Sequence, residues 1–215
     1  MTSKSIADMR ITYDLTTLGD RDVLANPIDQ FRLWFEEVRE TNVIEANALT
    51  LATVTADGVP QARTLLMKGV EADGVVIYTN YASAKARQIF ANPHVCALFY
   101  WPSLQRQVRW TGVAEKVSAE ESDTYFASRP RGSQIGAWAS DQSEPLASSE
   151  LLRERYAELE REFVDGDVPR PDHWGGFRIK PTSIEFWQGR ENRLHDRILY
   201  TLHPDGTWST IRLAP

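Results

Sequence analysis

Three Asp-Gly turns constrain the fold more than any other feature of the chain. Ala56-Asp57-Gly58, Ala72-Asp73-Gly74 and Pro204-Asp205-Gly206 each stand between two short runs rich in apolar residues. An Asp-Gly pair supplies the backbone that a tight hairpin needs, so the flanking runs read as paired strands. The first group comprises residues 48–54, 59–68, 75–80, 94–101 and 105–117. A second group near the end comprises WGGFRIK, SIEFWQG, RILYTLH and TWSTIRL. Helical patterns fall around and between the groups. Asn26-Pro27 opens a helix with Ile28, Phe31, Trp34, Phe35 and Val38 at helical spacing. Ser83 caps a short helix through Phe90, which Asn92-Pro93 ends. Residues 119–128 read as helix, Arg129 to Ser133 as a break, and 134–139 as a further short helical turn. Ser149 caps an amphipathic helix presenting Leu152, Tyr156, Leu159 and Phe163. Hairpin-joined strands in two runs, interrupted by helices, predict an α+β fold with an antiparallel sheet. Seven to nine strands suffice to close such a sheet into a barrel, which removes its exposed edges.

Composition narrows the function classes. The chain has 215 residues, 42% hydrophobic and 25% charged, as expected of one globular domain. Residues 1–25 read as a flexible arm and 26–215 as the domain. A formal net charge of -6 argues against general nucleic-acid binding, which needs an excess of Lys and Arg. No apolar run reaches membrane-spanning length, and the N-terminal residues lack the apolar core of a secretory signal, so a cytoplasmic location is expected. Cys96 is the single cysteine and reads as a small core residue. His94, His173, His195 and His203 are dispersed without metal-ligand spacing, so no metal site is expected. Gly132-Ser133-Gln134-Ile135-Gly136 lacks the spacing of a nucleophile elbow, and no glycine-rich dinucleotide or phosphate loop is present.

What remains is a set of cations in structured segments. EFWQGRENRLHDR, residues 185–197, passes from a strand through Gly189 into a turn bearing Arg193, His195, Asp196 and Arg197. Arg presents a rigid donor fork and a stackable face, and His exchanges protons near neutral pH. Arg63 and Lys68, Lys85 and Arg87, and Arg129 and Arg131 form further pairs. Five residues apart on one strand, Arg63 and Lys68 would face opposite sides unless the strand ends between them. As a set with Tyr78, Thr79, Gln107, Tyr125 and Ser133, these cations suit a small phosphorylated, planar ligand. Taken singly, each also reads as a solvated surface charge.

The long segments RTLLMK (63–68), IYTNYASAKARQI (77–89), RQVRWTGVAEKVS (106–118), YFASRPRGSQIGAWASDQS (125–143), WGGFRIKPTSIEFWQG (174–189), RLHDR (193–197) and RLAP (212–215) follow one another in an order that resembles the pyridoxine (pyridoxamine) 5′-phosphate oxidase family. The resemblance covers nearly the whole chain. It implies an FMN-binding split β-barrel with flanking helices, assembled as a homodimer with FMN at the subunit interface. It implies oxidation of pyridoxamine or pyridoxine 5′-phosphate to pyridoxal 5′-phosphate, with dioxygen as acceptor and hydrogen peroxide as product. A related branch of the same fold oxidises phenazine-type rings, and other barrels of this kind bind flavin or pyridoxal phosphate without catalysis.

Residue by residue, the resemblance assigns the cofactor to Arg63, Thr64, Leu65, Leu66, Met67, Lys68, Tyr78, Thr79, Lys85, Gln107, Gln142, Ser143, Trp187 and Arg197. It assigns the substrate phosphate to Lys68, Tyr125, Arg129 and Ser133. Arg193, Leu194 and His195 fall to the substrate ring, with Arg193 and His195 as the catalytic pair. Arg10 and Tyr13 match arm residues that fold over bound substrate. One departure concerns Ala84, where the family often has Arg. It removes one phosphate contact, for which Arg87 is a nearby substitute. In the arm, Ile11 and Thr12 replace residues that are often charged.

Overall fold

The computed structural model describes residues 5–9, 11–19 and 21–215. Arg10, expected over the substrate, lies outside the described residues. After a 3₁₀ turn at Ile6–Asp8, the elements run α1 (Pro27–Arg39), β1 (Ala48–Val54), β2 (Pro60–Leu66), β3 (Gly69–Glu71), β4 (Gly74–Asn80), α2 (Ala84–Ala91), β5 (His94–Trp101), β6 (Arg106–Lys116), α3 (Ala119–Ala127), α4 (Arg131–Ala139), α5 (Ser149–Glu162), β7 (Trp174–Gln188), β8 (Asp196–Leu202) and β9 (Trp208–Arg212). The strands are hydrogen-bonded in the order β2-β1-β5-β6-β7-β4-β3, with β8 on β7 and β9 on β8. The β3–β4, β4–β7, β7–β8 and β8–β9 pairings are antiparallel. No described helix is long and apolar enough to cross a membrane.

Backbone contacts divide the chain into two compact units. One takes the described residues up to Thr50 with Ala97–Thr111 and Pro181–Pro215; the other takes Leu51–Cys96 and Gly112–Lys180. In the first, α1 is capped by the Asn26 side chain, which accepts from the Ile28 N–H, and Pro27 occupies its first turn. Its apolar stripe delivers Phe31 against Phe99, Trp101 and Trp110, with ring centroids 4.9, 5.9 and 5.0 Å away. Trp34 meets Phe186 edge-on at 5.1 Å. This aromatic core supports the end of β7 that leads into the charged turn. In the second unit, Phe126, Ile135, Val168 and Trp174 are buried together, and Tyr156, Leu159 and Phe163 of the α5 face pack against them.

Four local expectations change. β7 is one strand rather than two. Pro181 has no N–H to give, and it falls between the β4 register, which ends at Ile179, and the β8 register, which begins at Ser183. α4 begins at Arg131 rather than Gln134. The Pro130 carbonyl accepts the Ser133 and Gln134 N–H groups, so the break is a single Pro-led corner and Ser133 sits in the first helical turn. The cap of α5 is Ser148, whose hydroxyl accepts from the Leu151 N–H. β3 is an additional short strand. Of the three Asp-Gly turns, two have Gly in the left-handed region, Gly58 at φ 87 and Gly206 at φ 84. Gly74 is needed for space instead, since a Cβ there would lie 2.4 Å from the Ile179 carbonyl oxygen.

Candidate functional site

The first candidate cavity belongs wholly to the second unit. It has a volume of about 660 Å³, and its lining includes Leu66, Lys68, Tyr78, Thr79, Tyr125, Arg129, Ser133 and Gln142, all expected at the site. The fold brings them in from several segments. β2 ends at Leu66, so Lys68 escapes strand alternation; its N–H bonds to the Val76 carbonyl at 2.8 Å. Tyr78 and Thr79 come from β4, Tyr125 from α3, and Ser133 from the first turn of α4. Among the described residues, no Asp or Glu lines the cavity.

Behind Thr79 and Gln142 lies Lys85, only 8% exposed. Its ammonium donates to Thr79 Oγ1 at 3.1 Å, Ser83 Oγ at 3.3 Å and Gln142 Oε1 at 3.0 Å. Burial, with the charge of Arg63 as a smaller contribution, pushes its pKa down to about 8. Arg63 donates to the Leu51 carbonyl at 3.2 Å, Thr53 Oγ1 at 2.5 Å and Gln88 Oε1 at 3.1 Å. Burial lowers its pKa as well. Arg129 Nη1 is buried without any hydrogen-bond partner. Among the described residues, no carboxylate pairs with Arg63, Lys85 or Arg129. Buried and half-buried cations held by neutral acceptors fit a phosphate-bearing group, as does a guanidinium with a buried N–H left unbonded.

Arg87 fills no gap left by Ala84. Its guanidinium is exposed and bonded to Glu144 at 2.7 Å and to the Ala82 carbonyl at 2.5 Å. Thr64 is exposed on β2, Leu65 is half-buried, Met67 is buried in the core, and Ser143 is exposed with φ 76. These four do not line the cavity.

The second candidate cavity belongs wholly to the first unit and measures about 620 Å³. Tyr13, Trp187, Arg190, Arg193 and His195 line it, with Met9, Ile11 and Thr12 of the arm. The turn is held in an unusual backbone. Asn192 and Arg193 both take left-handed φ, 54 and 64. The His195 ring lies 4.6 Å from Trp187 and 5.8 Å from Tyr13. Its Nδ1 accepts the Arg190 N–H at 3.0 Å, so the neutral ring carries its proton on Nε2. Burial and then the Arg193 charge lower its pKa. Leu194 is exposed and is not part of this lining; Gln107 is half-buried on β6.

The arm is docked by named contacts. A Cβ on Gly189 would meet Tyr13 Cγ at 2.9 Å, so the bare glycine lets the Tyr13 ring approach. Asp196, given no role from sequence, accepts from the Leu18 N–H at 3.1 Å and from Arg212 at 2.8 Å. Arg197 donates to Glu185 and to the Ala214 carbonyl, each at 2.8 Å. Glu185 is 4% exposed and also pairs with Arg109. Sequence reasoning missed Glu185 and Trp174. A Glu between Ile184 and Phe186 on an apolar strand was the available signal, since a buried carboxylate needs partners.

Sequence comparison assigns the chain to a family. A family profile described as pyridoxamine 5'-phosphate oxidase matches residues 35–161, and a second, described as the pyridoxine 5'-phosphate oxidase C-terminal dimerisation region, matches 174–215. The chain belongs to this family. A pyridoxine/pyridoxamine 5'-phosphate oxidase of Rubrobacter xylanophilus is 54% identical over 99% of this chain and 97% of the relative. Another, from Gloeothece citriformis, is 51% identical over 99% of each. Among solved structures, PhzG from Burkholderia lata, crystallised with tetrahydrophenazine-1-carboxylic acid, superposes with TM-score 0.88 at 29% identity, over 94% of this chain and 100% of that one. A pyridoxamine 5'-phosphate oxidase-related protein of Nostoc punctiforme shares the fold, with TM-score 0.72 at 20% identity over 90% of this chain and 100% of that one. The fold class is therefore the α+β split barrel of this family.

Proposed function

We propose that the chain is an FMN-dependent oxidase that converts pyridoxamine 5′-phosphate and pyridoxine 5′-phosphate to pyridoxal 5′-phosphate, using dioxygen and releasing hydrogen peroxide. The observation that carries this reading is a group of cations without anionic partners at and behind one cavity: buried Lys85 with half-buried Arg63 and Arg129. Arg63, Thr79, Lys85 and Gln142 are suited to the cofactor phosphate, and Lys68, Tyr125, Arg129 and Ser133 to the substrate phosphate. Thr64, Leu65, Leu66, Met67, Tyr78, Gln107, Ser143, Trp187 and Arg197 are proposed for the rest of the cofactor. When bound, FMN supplies the two-electron acceptor for the hydride leaving C4′ of the substrate and passes the electrons to dioxygen. The match to a dimerisation region supports a homodimer, with FMN at the subunit interface as the proposed arrangement.

The chain's own groups position the substrate ring. Arg193 offers a flat cation to one ring face, and Arg10, Tyr13 and Leu194 would flank it. His195 offers an Nε2–H, because Nδ1 is already used by the Arg190 N–H. The ring is thereby a donor to the substrate's 3-oxygen rather than a base at C4′. A phenazine-type substrate would leave the phosphate group Lys68, Tyr125, Arg129 and Ser133 without a task.

Purified protein loaded with FMN is expected to lose its visible flavin band on anaerobic addition of pyridoxamine 5′-phosphate and regain it on admission of air. A loaded protein whose spectrum does not change would be a binder and not an oxidase.

A pH dependence follows from Lys85. Its pKa of about 8 must rise when a phosphate dianion arrives beside it. Below pH 8 the ammonium is already charged and binding takes up no proton. Above pH 8 binding takes one up, so FMN affinity should fall by up to about tenfold per pH unit. Titration of apoprotein with FMN between pH 7 and 9.5 checks this; a flat profile would contradict it.

A further inference from the structure

Arg129 does not stand alone in its cavity. Its guanidinium carbon lies 4.5 Å above the Trp174 ring and 5.4 Å from the Phe126 ring. Trp174 is 6% exposed and also lines the cavity. Its plane is within 10° of Tyr78 and 7° of Tyr125, at 5.5 and 6.1 Å, while those two phenols stack on each other at 3.9 Å. One near-parallel group of rings therefore carries both the guanidinium and the Tyr125 phenol. The unpartnered Nη1 belongs to that same guanidinium.

We infer that Trp174 is a positioning residue for phosphate recognition, holding the Arg129 fork and the Tyr125 ring in their binding arrangement before ligand arrives. This rests on the reading above that the cavity takes the substrate phosphate. An indole face attracts a guanidinium, and a fork lying flat on it keeps its N–H edge free for two parallel bonds to phosphate. A long side chain frozen in advance loses less freedom on binding, so affinity gains. A residue that only fills the core would contribute stability alone.

The test uses the FMN-loaded protein, with inorganic phosphate and pyridoxamine 5′-phosphate as probes and unphosphorylated pyridoxamine as control. Trp174→Phe is expected to raise the phosphate dissociation constant and the KM for pyridoxamine 5′-phosphate together, by about tenfold, with a smaller change in kcat and little change toward pyridoxamine. Arg129→Lys keeps the charge but not the planar fork over Trp174, and should lose nearly as much. In an Arg129→Ala background, Trp174→Phe should have a smaller effect on phosphate, keeping only the part that acts through Tyr125. Trp174→Phe with normal phosphate affinity, or with equal losses for both amines, would overturn the positioning role, as would Arg129→Lys binding phosphate normally. If Trp174→Phe does not fold, the Arg129→Lys result decides alone. Undiminished phosphate binding in Arg129→Ala would instead remove the phosphate reading itself.

Discussion

Replacing Arg193 with alanine is expected to lower kcat/KM for pyridoxamine 5′-phosphate by roughly 10²-fold or more while FMN still binds. Arg193 is placed by a backbone that few residues adopt willingly. It and Asn192 both occupy the left-handed region, which costs about 1–3 kcal/mol at each non-glycine position. The side chain is exposed, and among the described residues it makes no ion pair that would account for such a conformation. What the conformation provides is a cation on the same lining as His195 and Trp187. Removing it should have a second, separate signature. The Arg193 charge is one of the two causes holding the His195 pKa down, so the imidazole pKa should rise toward its usual value. An acidic limb of the pH–rate profile governed by His195 would then move to higher pH. NMR titration of the imidazole reads that shift without turnover. Loss of FMN binding in the same variant would mean that the turn is structural, and unchanged kcat/KM would remove Arg193 from the chemistry.

Lys85→Met should act with opposite sign on two quantities. FMN affinity should fall by roughly 10- to 100-fold, as for one lost charge-assisted bond of about 1.5–3 kcal/mol. The apoprotein should be no less stable and can gain stability. Its folded pKa of about 8 lies below that of a free lysine, so at neutral pH the folded chain carries the ammonium at a disadvantage. That disadvantage shrinks as pH rises from about 8 toward 10.5, and Met removes it at every pH. Cofactor titration and thermal unfolding of the apoprotein, measured on the same preparation, separate the two effects. Equal loss of stability and affinity would mark Lys85 as a structural residue. The pH dependence of FMN binding should also disappear in this variant.

Much of the fold is legible in short local signals. Asn26-Pro27 and Ser83 announce helix starts through their own hydrogen bonds, and Asp-Gly pairs announce hairpins. Such signals need no knowledge of the rest of the chain. The errors occur where a partner decides the outcome. Pro181 reads as a strand break until two different partner registers leave room for it. Ser133 reads as loop until the Pro130 carbonyl is seen to start the helix. The same division holds for the candidate site. Lys68, Arg129, Arg193 and His195 stand out by residue type and setting, and the resemblance then gives them tasks. Trp174 and Glu185 act through neighbours, one beneath Arg129 and the other between Arg109 and Arg197. No spacing rule discloses a contact that exists only after folding. Arg87 shows the converse, since proximity in sequence to Lys85 suggested a substitute that Glu144 has already claimed.

The linings of the two cavities have no residue in common. One draws on positions 66–174 and the other on positions 9–13 and 187–195. On the proposed function, selectivity for the anchoring anion and selectivity for the aromatic ring are therefore written in different stretches of the gene. Mutation can retune either without passing through the other. On that function, a lineage can change the ring it accepts by altering a few codons near the two ends, leaving its anion grip inherited intact.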